Sequence, residues 1–147
     1  MRILALDVGE RRVGIAISDP GGTLARPLQT LVRGSREDDF AAIATLVAEH
    51  DVALVVVGRP LSLDGTEGPQ ARQIARYADA LAARLPVPIV PWDERFTTVA
   101  ADEIIRQIRK GKKRRAPAEG EVDAIAAAVI LQSYLDSQNS GLRMKGE

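Results

Sequence analysis

Three acidic residues stand out because their surroundings are apolar. Asp7 interrupts the run ILALDV, in which Ile3, Ala5 and Asp7 would share one face of a strand and Leu4, Leu6 and Val8 the other. Both faces are otherwise apolar, as in a central strand covered on two sides. A carboxylate there is costly unless it is paired, hydrogen-bonded or bound to a metal. Asp123 repeats the anomaly as the single polar residue of Val122–Leu131, VDAIAAAVIL. That segment is apolar nearly all round, the mark of a buried helix. Asp123 falls in its first turn, where the helix dipole favours an anion by about 0.3–1 kcal/mol. That is less than the desolvation cost of several kcal/mol. The third candidate is Asp93 or Glu94, after VPIVPW. Adjacent side chains on extended backbone point to opposite sides, so only one can join a cluster, and alternation does not choose.

Acids at the ends of two strands and the start of a helix can converge on divalent cations. The chain has no cysteine and a single histidine, His50. Disulfides, thiolate zinc sites, cysteine nucleophiles and multi-histidine metal sites are thereby excluded. Carboxylate ligands favour hard ions, Mg²⁺ or Mn²⁺. Two such ions about 3.5–4 Å apart activate water and stabilise the leaving oxygen in phosphodiester hydrolysis. The basic run Arg106–Arg115, RQIRKGKKRR, holds seven cations among ten residues and no acid. Its Arg109, Lys110, Lys112, Lys113, Arg114 and Arg115 are candidates for neutralising phosphates. Arg11 and Arg12, on the link after Asp7, are further candidates. Twenty basic and twenty acidic residues cancel over the chain, so only their distribution points to a partner.

The elements that would position these residues can be read in order. Ile3–Leu6 and Val13–Ile17 predict a hairpin around a link bounded by Gly9 and Gly14. Thr23–Val32, broken by Pro27, predicts an edge strand. Ser35 predicts a helix cap, with Glu37, Asp38 and Asp39 in the first turn and an end near His50. VALVVV at Val52–Val57 predicts a buried parallel strand. A helix over Pro69–Leu85 follows, then the proline-bearing run Val87–Trp92, again suited to an edge. Thr97 or Thr98 would cap a helix over Val99–Lys110. The last helix would run from about Glu119 to about Asp136, leaving Ser137–Glu147 as a disordered tail. The expected architecture is α/β: a mixed five-stranded sheet, three antiparallel strands then parallel crossovers, with helices on both faces. One domain over residues 1–136 is expected. No apolar run reaches the ~18 residues of a membrane span and the N-terminus lacks a signal-peptide pattern, so the expectation is a cytoplasmic protein without a membrane partner.

The segments LALDVGERRVGIAISD, VVVGRPLSLDGTEGPQ, WDERFTT and VDAIAAAVIL, in that order, resemble the four sequence blocks of the YqgF family, also called RuvX. The family is designated as pre-16S rRNA nucleases and is related to the RuvC Holliday-junction resolvases. The resemblance covers roughly residues 1–136 and implies an RNase H-like fold. It implies that Asp7, Glu94 and Asp123 are the catalytic, metal-binding acids, and so selects Glu94 over Asp93. It further implies trimming of the 5′ end of the 16S rRNA precursor during ribosome maturation. One departure is Arg59, where the second block usually carries an apolar residue; it would add a phosphate contact beside the site.

The leading expectation is therefore a nuclease using Mg²⁺ or Mn²⁺, as two ions, on precursor 16S rRNA or ribosomal particles, with DNA as a possible substrate. Alternatives are a non-catalytic rRNA-binding assembly factor, a Holliday-junction or other DNA nuclease, and an actin-like ATPase-type phosphotransferase. The last rests on DVGERRVG, which looks like the first phosphate loop of the actin-like ATPases; those place nucleotide between two such domains, and this chain supplies one. Either a monomer or a homodimer is compatible with the sequence.

Overall fold

The computed structural model describes residues 1–110 and 119–145. The two apolar runs around Asp7 form the hairpin. β1 (Arg2–Val8) and β2 (Arg12–Ser18) pair antiparallel, and the Gly9 amide donates to the Arg12 carbonyl at 2.9 Å to close the link. β3 (Ala25–Val32) extends the meander along β2. Pro27 stands opposite Ala16 beside a register irregularity, where a missing donor is tolerated.

After β3, α1 (Arg36–Glu49) begins at the expected cap, with the Ser35 hydroxyl accepting from the Asp38 amide at 3.1 Å. β4 (Val52–Arg59) then pairs parallel with β1, α2 (Pro69–Ala82) crosses over, and β5 (Ile89–Asp93) pairs parallel with β4. The sheet order is β3-β2-β1-β4-β5. β1 is central, and the two proline-bearing strands lie at the edges, as expected. A short turn, Glu94–Phe96, leads into α3 (Val99–Lys110), whose Ala101 amide is capped by the Thr98 hydroxyl at 3.0 Å. α4 spans Glu119–Lys145.

α4 thus runs past Asp136, the end that the sequence pattern predicts. No proline follows Glu119. Extending a formed helix adds a hydrogen bond for each residue fixed, without a new nucleation cost. No helix among the described residues is long and apolar enough to cross a membrane.

The sheet is covered on both faces. Leu4, Leu6, Val8, Ile15 and Ile17 pack with Phe40 and Ile43 of α1 and with Ile74, Tyr77 and Leu81 of α2. Ile3, Ala5, Ala16 and Val56 pack with Ile105 of α3 and with Ala127, Ala128, Leu131 and Leu135 of α4. Burying each large aliphatic side chain contributes about 1.5–3 kcal/mol. Asp7 belongs by alternation to the α3/α4 face.

Candidate active site

Asp7 stands in register with Gly14 on β2. A Cβ on Gly14 would lie 1.9 Å from the Asp123 carbonyl oxygen, so the first turn of α4 rests directly on bare β2 backbone. No other residue type permits that approach. On the other side of β1, Gly58 follows Val57, the partner of Leu6. A Cβ on Gly58 would lie 2.8 Å from Ile130 Cδ1 and 3.2 Å from Glu94 Oε2. Glycines on the two neighbouring strands thus make room for Asp123 on one side of Asp7 and for Glu94 on the other.

Buried polar groups of α4 hold this arrangement. Gln132, 1% exposed, accepts from the Ala25 amide at 2.9 Å and donates to the Thr23 carbonyl at 3.0 Å, fixing the helix to β3. The Ser133 hydroxyl donates to the Phe96 carbonyl at 2.7 Å, fixing it to the turn that carries Glu94. The Thr30 hydroxyl donates to the Gly120 carbonyl at the start of the helix.

Alternation along β5 puts Val90 and Trp92 on the α3/α4 face, and Glu94 continues that side. Asp93 is engaged elsewhere. Its carboxylate caps the turn by accepting from the Arg95 amide at 2.9 Å, and it accepts from the Arg95 guanidinium at 2.5 Å. The Asp93 carboxyl is accordingly held below the usual range by Arg95. Arg95 also donates to the Leu63 carbonyl at 3.2 Å, bracing the β4–α2 loop against this turn.

The acids interact in pairs. Burial, then the nearby Asp123 carboxylate, raises the Asp7 carboxyl above its ordinary value. Burial, then Asp7, then Asp93 pushes the Glu94 carboxyl up to about 7. Among the described residues no hydrogen bond or ion pair engages the carboxylate of either Asp7 or Glu94. Asp123 is turned towards Arg12, whose Nε donates to its Oδ2 at 2.7 Å. Among the described residues no three acids are gathered as ligands of one ion. The donor chemistry nevertheless fits a hard divalent cation: Asp123 and Glu94 lie on either side of Asp7 at the carboxyl end of β1, and burial and neighbouring acids raise Asp7 and Glu94.

Residues 1–137 match the model of the RuvX family, described as Holliday junction resolvase. The chain belongs to the RuvX family. A protein of Thermoanaerobacter pseudethanolicus named "Putative pre-16S rRNA nuclease" is 42% identical over 140 residues, covering 95% of this chain and 99% of that one. A Chloroflexus aggregans protein of the same name is 49% identical over 138 residues, covering 94% and 95%. Among solved structures, RuvC of Thermus thermophilus superposes with a TM-score of 0.63 at 16% identity, covering 94% of this chain and 97% of that one. The fowlpox virus Holliday junction resolvase superposes with a TM-score of 0.53 at 15% identity, covering 93% and 99%. These likenesses establish an RNase H-like fold.

Other residues singled out by sequence are dispersed. Arg12 enters the acid cluster as the partner of Asp123. Arg11 is exposed on the β1–β2 link. Arg59 follows Gly58, so it projects to the opposite face, where it pairs with Glu67 beside α2 and away from Asp7. Arg109 pairs with Glu121 at 3.3 Å, joining the end of α3 to the start of α4, and Lys110 is exposed. Lys112, Lys113, Arg114 and Arg115 lie outside the described residues. The site residues that sequence reasoning missed are Gly14 and Gly58. The available signal was a glycine inside an apolar strand run, which marks a close backbone approach.

Proposed function

We propose that this protein is a divalent-metal-dependent nuclease that trims the 5′ end of precursor 16S rRNA in the cytoplasm. The observation that carries the reading is the placement of Asp7 between Gly14 and Gly58, with Asp123 and Glu94 brought to its two sides. Asp7, Glu94 and Asp123 would hold Mg²⁺ or Mn²⁺, as two ions. When bound, the ions supply an activated water and stabilise the charge on the leaving oxygen.

The chain's own residues set the conditions for that chemistry. Asp7, on the central strand, is the acid common to both pairs. The bare backbone at Gly14 and Gly58 keeps the carboxylates close, so that they carry excess negative charge until a cation neutralises it. Arg12 holds Asp123 on the side facing the substrate rim. Arg11, Arg109 and Lys110, with Lys112, Lys113, Arg114 and Arg115, would neutralise backbone phosphates around the scissile bond. Arg59 would contribute only to a strand that reaches the opposite face.

Purified protein is incubated with labelled precursor rRNA in Mg²⁺, Mn²⁺ or EDTA, beside Asp7→Asn. Cleavage in either ion, absent in EDTA and in the variant, is the expected result. Wild-type cleavage by Asp7→Asn overturns the assignment. A branched DNA substrate is the second reading, favoured by the family description and by the RuvC-like fold. A four-way junction assayed in parallel decides between them. RNA binding without cleavage in any ion would favour an assembly factor.

A further inference from the structure

A cleft of about 540 Å³ opens on the face of the sheet opposite Asp7, at the same edge. Val8 and Gly9 line it, immediately after Asp7 in the chain. Strand alternation therefore puts the acid on one side of the sheet and the cleft on the other, joined by the short link from Gly9 to Arg12. The lining is polar and basic: Arg33, Arg36 and Arg76 against a single acid, Glu10.

The three arginines differ in state. Arg33 is anchored, donating to the Gly9 carbonyl at 2.7 Å, standing 4.0 Å from the Asp39 carboxylate and lying 4.9 Å over the Tyr77 ring. Arg36 and Arg76 are exposed, and neither has an ion pair among the described residues. Two helix starts also meet here. That of α1 is capped by Ser35 and carries Glu37, Asp38 and Asp39. That of α2 has Gly68 as its cap residue, with no side-chain hydrogen bond and no acid in its first turn. Its positive end is thus not offset by an acid of the first turn. The Tyr77 ring, 1% exposed, lines the cleft beneath Arg33 and Arg36, whose guanidinium carbons lie 4.9 and 6.0 Å from its centroid. Three guanidinium groups lining one cleft and a helix start with no acid in its first turn share one ligand chemistry, the phosphate group.

We propose that the cleft between the starts of α1 and α2 binds a backbone phosphate of the polynucleotide substrate, so that the strand passes from the acids across the Gly9–Arg12 link into the cleft. The proposal rests on the nuclease reading for the identity of the polyanion. Arg36, Arg76 and the first turn of α2 take the phosphate oxygens. Arg11, exposed on the link, stands where the strand crosses. A small-molecule pocket is mainly apolar with a few polar groups, whereas this lining is mostly polar, which favours a segment of a charged polymer.

The test measures binding of labelled single-stranded RNA of about 20 nucleotides by Asp7→Asn protein across a salt series. The double variant Arg36→Ala/Arg76→Ala is compared with Arg84→Ala, an exposed arginine in the segment after α2. Loss of two phosphate contacts lowers affinity about tenfold at low salt and makes the slope of log K against log salt shallower by about 1.4. Each single substitution gives about half that change, and Arg84→Ala gives none. Unchanged thermal unfolding of the variants confirms that the fold is kept. A double variant that binds RNA with the same affinity and slope as Arg84→Ala overturns the proposal. Saturable binding of inorganic phosphate that is lost in the double variant, with RNA affinity intact, also overturns it in favour of a small anion. Cleavage by wild-type protein is scored separately. Its absence, together with the salt-slope change, would remove the nuclease reading and leave the cleft's ligand assigned.

Discussion

The two faces of the sheet are built from alternate residues of the same strands, and they are filled differently. Towards α1 and α2 stand Leu4, Leu6, Val8, Val13, Ile15 and Ile17. Towards α3 and α4 stand Ile3, Ala5 and Ala16, with Gly14 and Gly58 at the carboxylate end. The first face is an ordinary core, thick with branched side chains and closed by the edge-to-face pair of Phe40 and Tyr77. The second is thin. Alanine meets alanine, and at Gly14 the backbone of α4 meets the backbone of β2. Side-chain bulk stabilises one face. Its removal on the other brings acids from distant segments to one place, at the cost of burying like charges.

The sharpest way to break this contrast is to exchange the two roles. Asp7→Asn should reduce cleavage by about three powers of ten, equivalent to about 4 kcal/mol of transition-state stabilisation. Its unfolding midpoint should be unchanged or higher, because a buried repulsion with Asp123 is removed. Leu6→Ala, one residue away but on the other face, should cost about 2–5 kcal/mol in denaturant unfolding. The folded Leu6→Ala protein should cleave normally. If the two variants exchange phenotypes, the division of labour is wrong.

Gly14→Ala should destabilise by about 1–3 kcal/mol, because the new methyl would displace the first turn of α4. It should lower both the unfolding midpoint and the cleavage rate, unlike either substitution above. Retention of both properties would mean that α4 does not rest on β2 as described.

The smallest effect concerns pH. The Glu94 carboxyl titrates near 7 in the folded protein, against 4.5 for the unperturbed group. The folded state holds this proton more tightly than the unfolded state. Its contribution to stability is therefore complete below about 4.5 and is lost as the pH rises through about 7. After allowance for solvent screening of a half-buried group, the metal-free protein should lose about 1 kcal/mol of stability from this residue between pH 5 and 8. Glu94→Gln should remove that part of the pH dependence in denaturant titrations. An identical pH profile in the variant would place Glu94 in solvent, away from Asp7.

Much of this molecule was legible along the chain. The alternation in ILALDV, the unbroken VALVVV and the cap at Ser35 are local patterns. They set strand, buried strand and helix start through interactions spanning a few residues. The prolines at 27, 88 and 91 pointed to edge positions because a missing amide is tolerated there. The isolation of Asp7 and Asp123 among apolar neighbours was equally visible, since a desolvated charge is anomalous wherever the chain goes. The choice of Glu94 over Asp93 was open in the residues themselves and came from resemblance to the family. In the structure Arg95 engages the Asp93 carboxylate.

What the sequence determined by itself was therefore the order of elements and the presence of costly acids. Tertiary structure decided which groups meet. Arg12 and Asp123 are separated by 111 positions yet joined at 2.7 Å. Arg59 lies one residue from Gly58 in the chain but projects to the other face of the sheet. Sequence periodicity gives the side of a strand on which a residue stands. The partner across the gap is fixed only when the helix settles on the sheet, and here two glycines set how closely it settles.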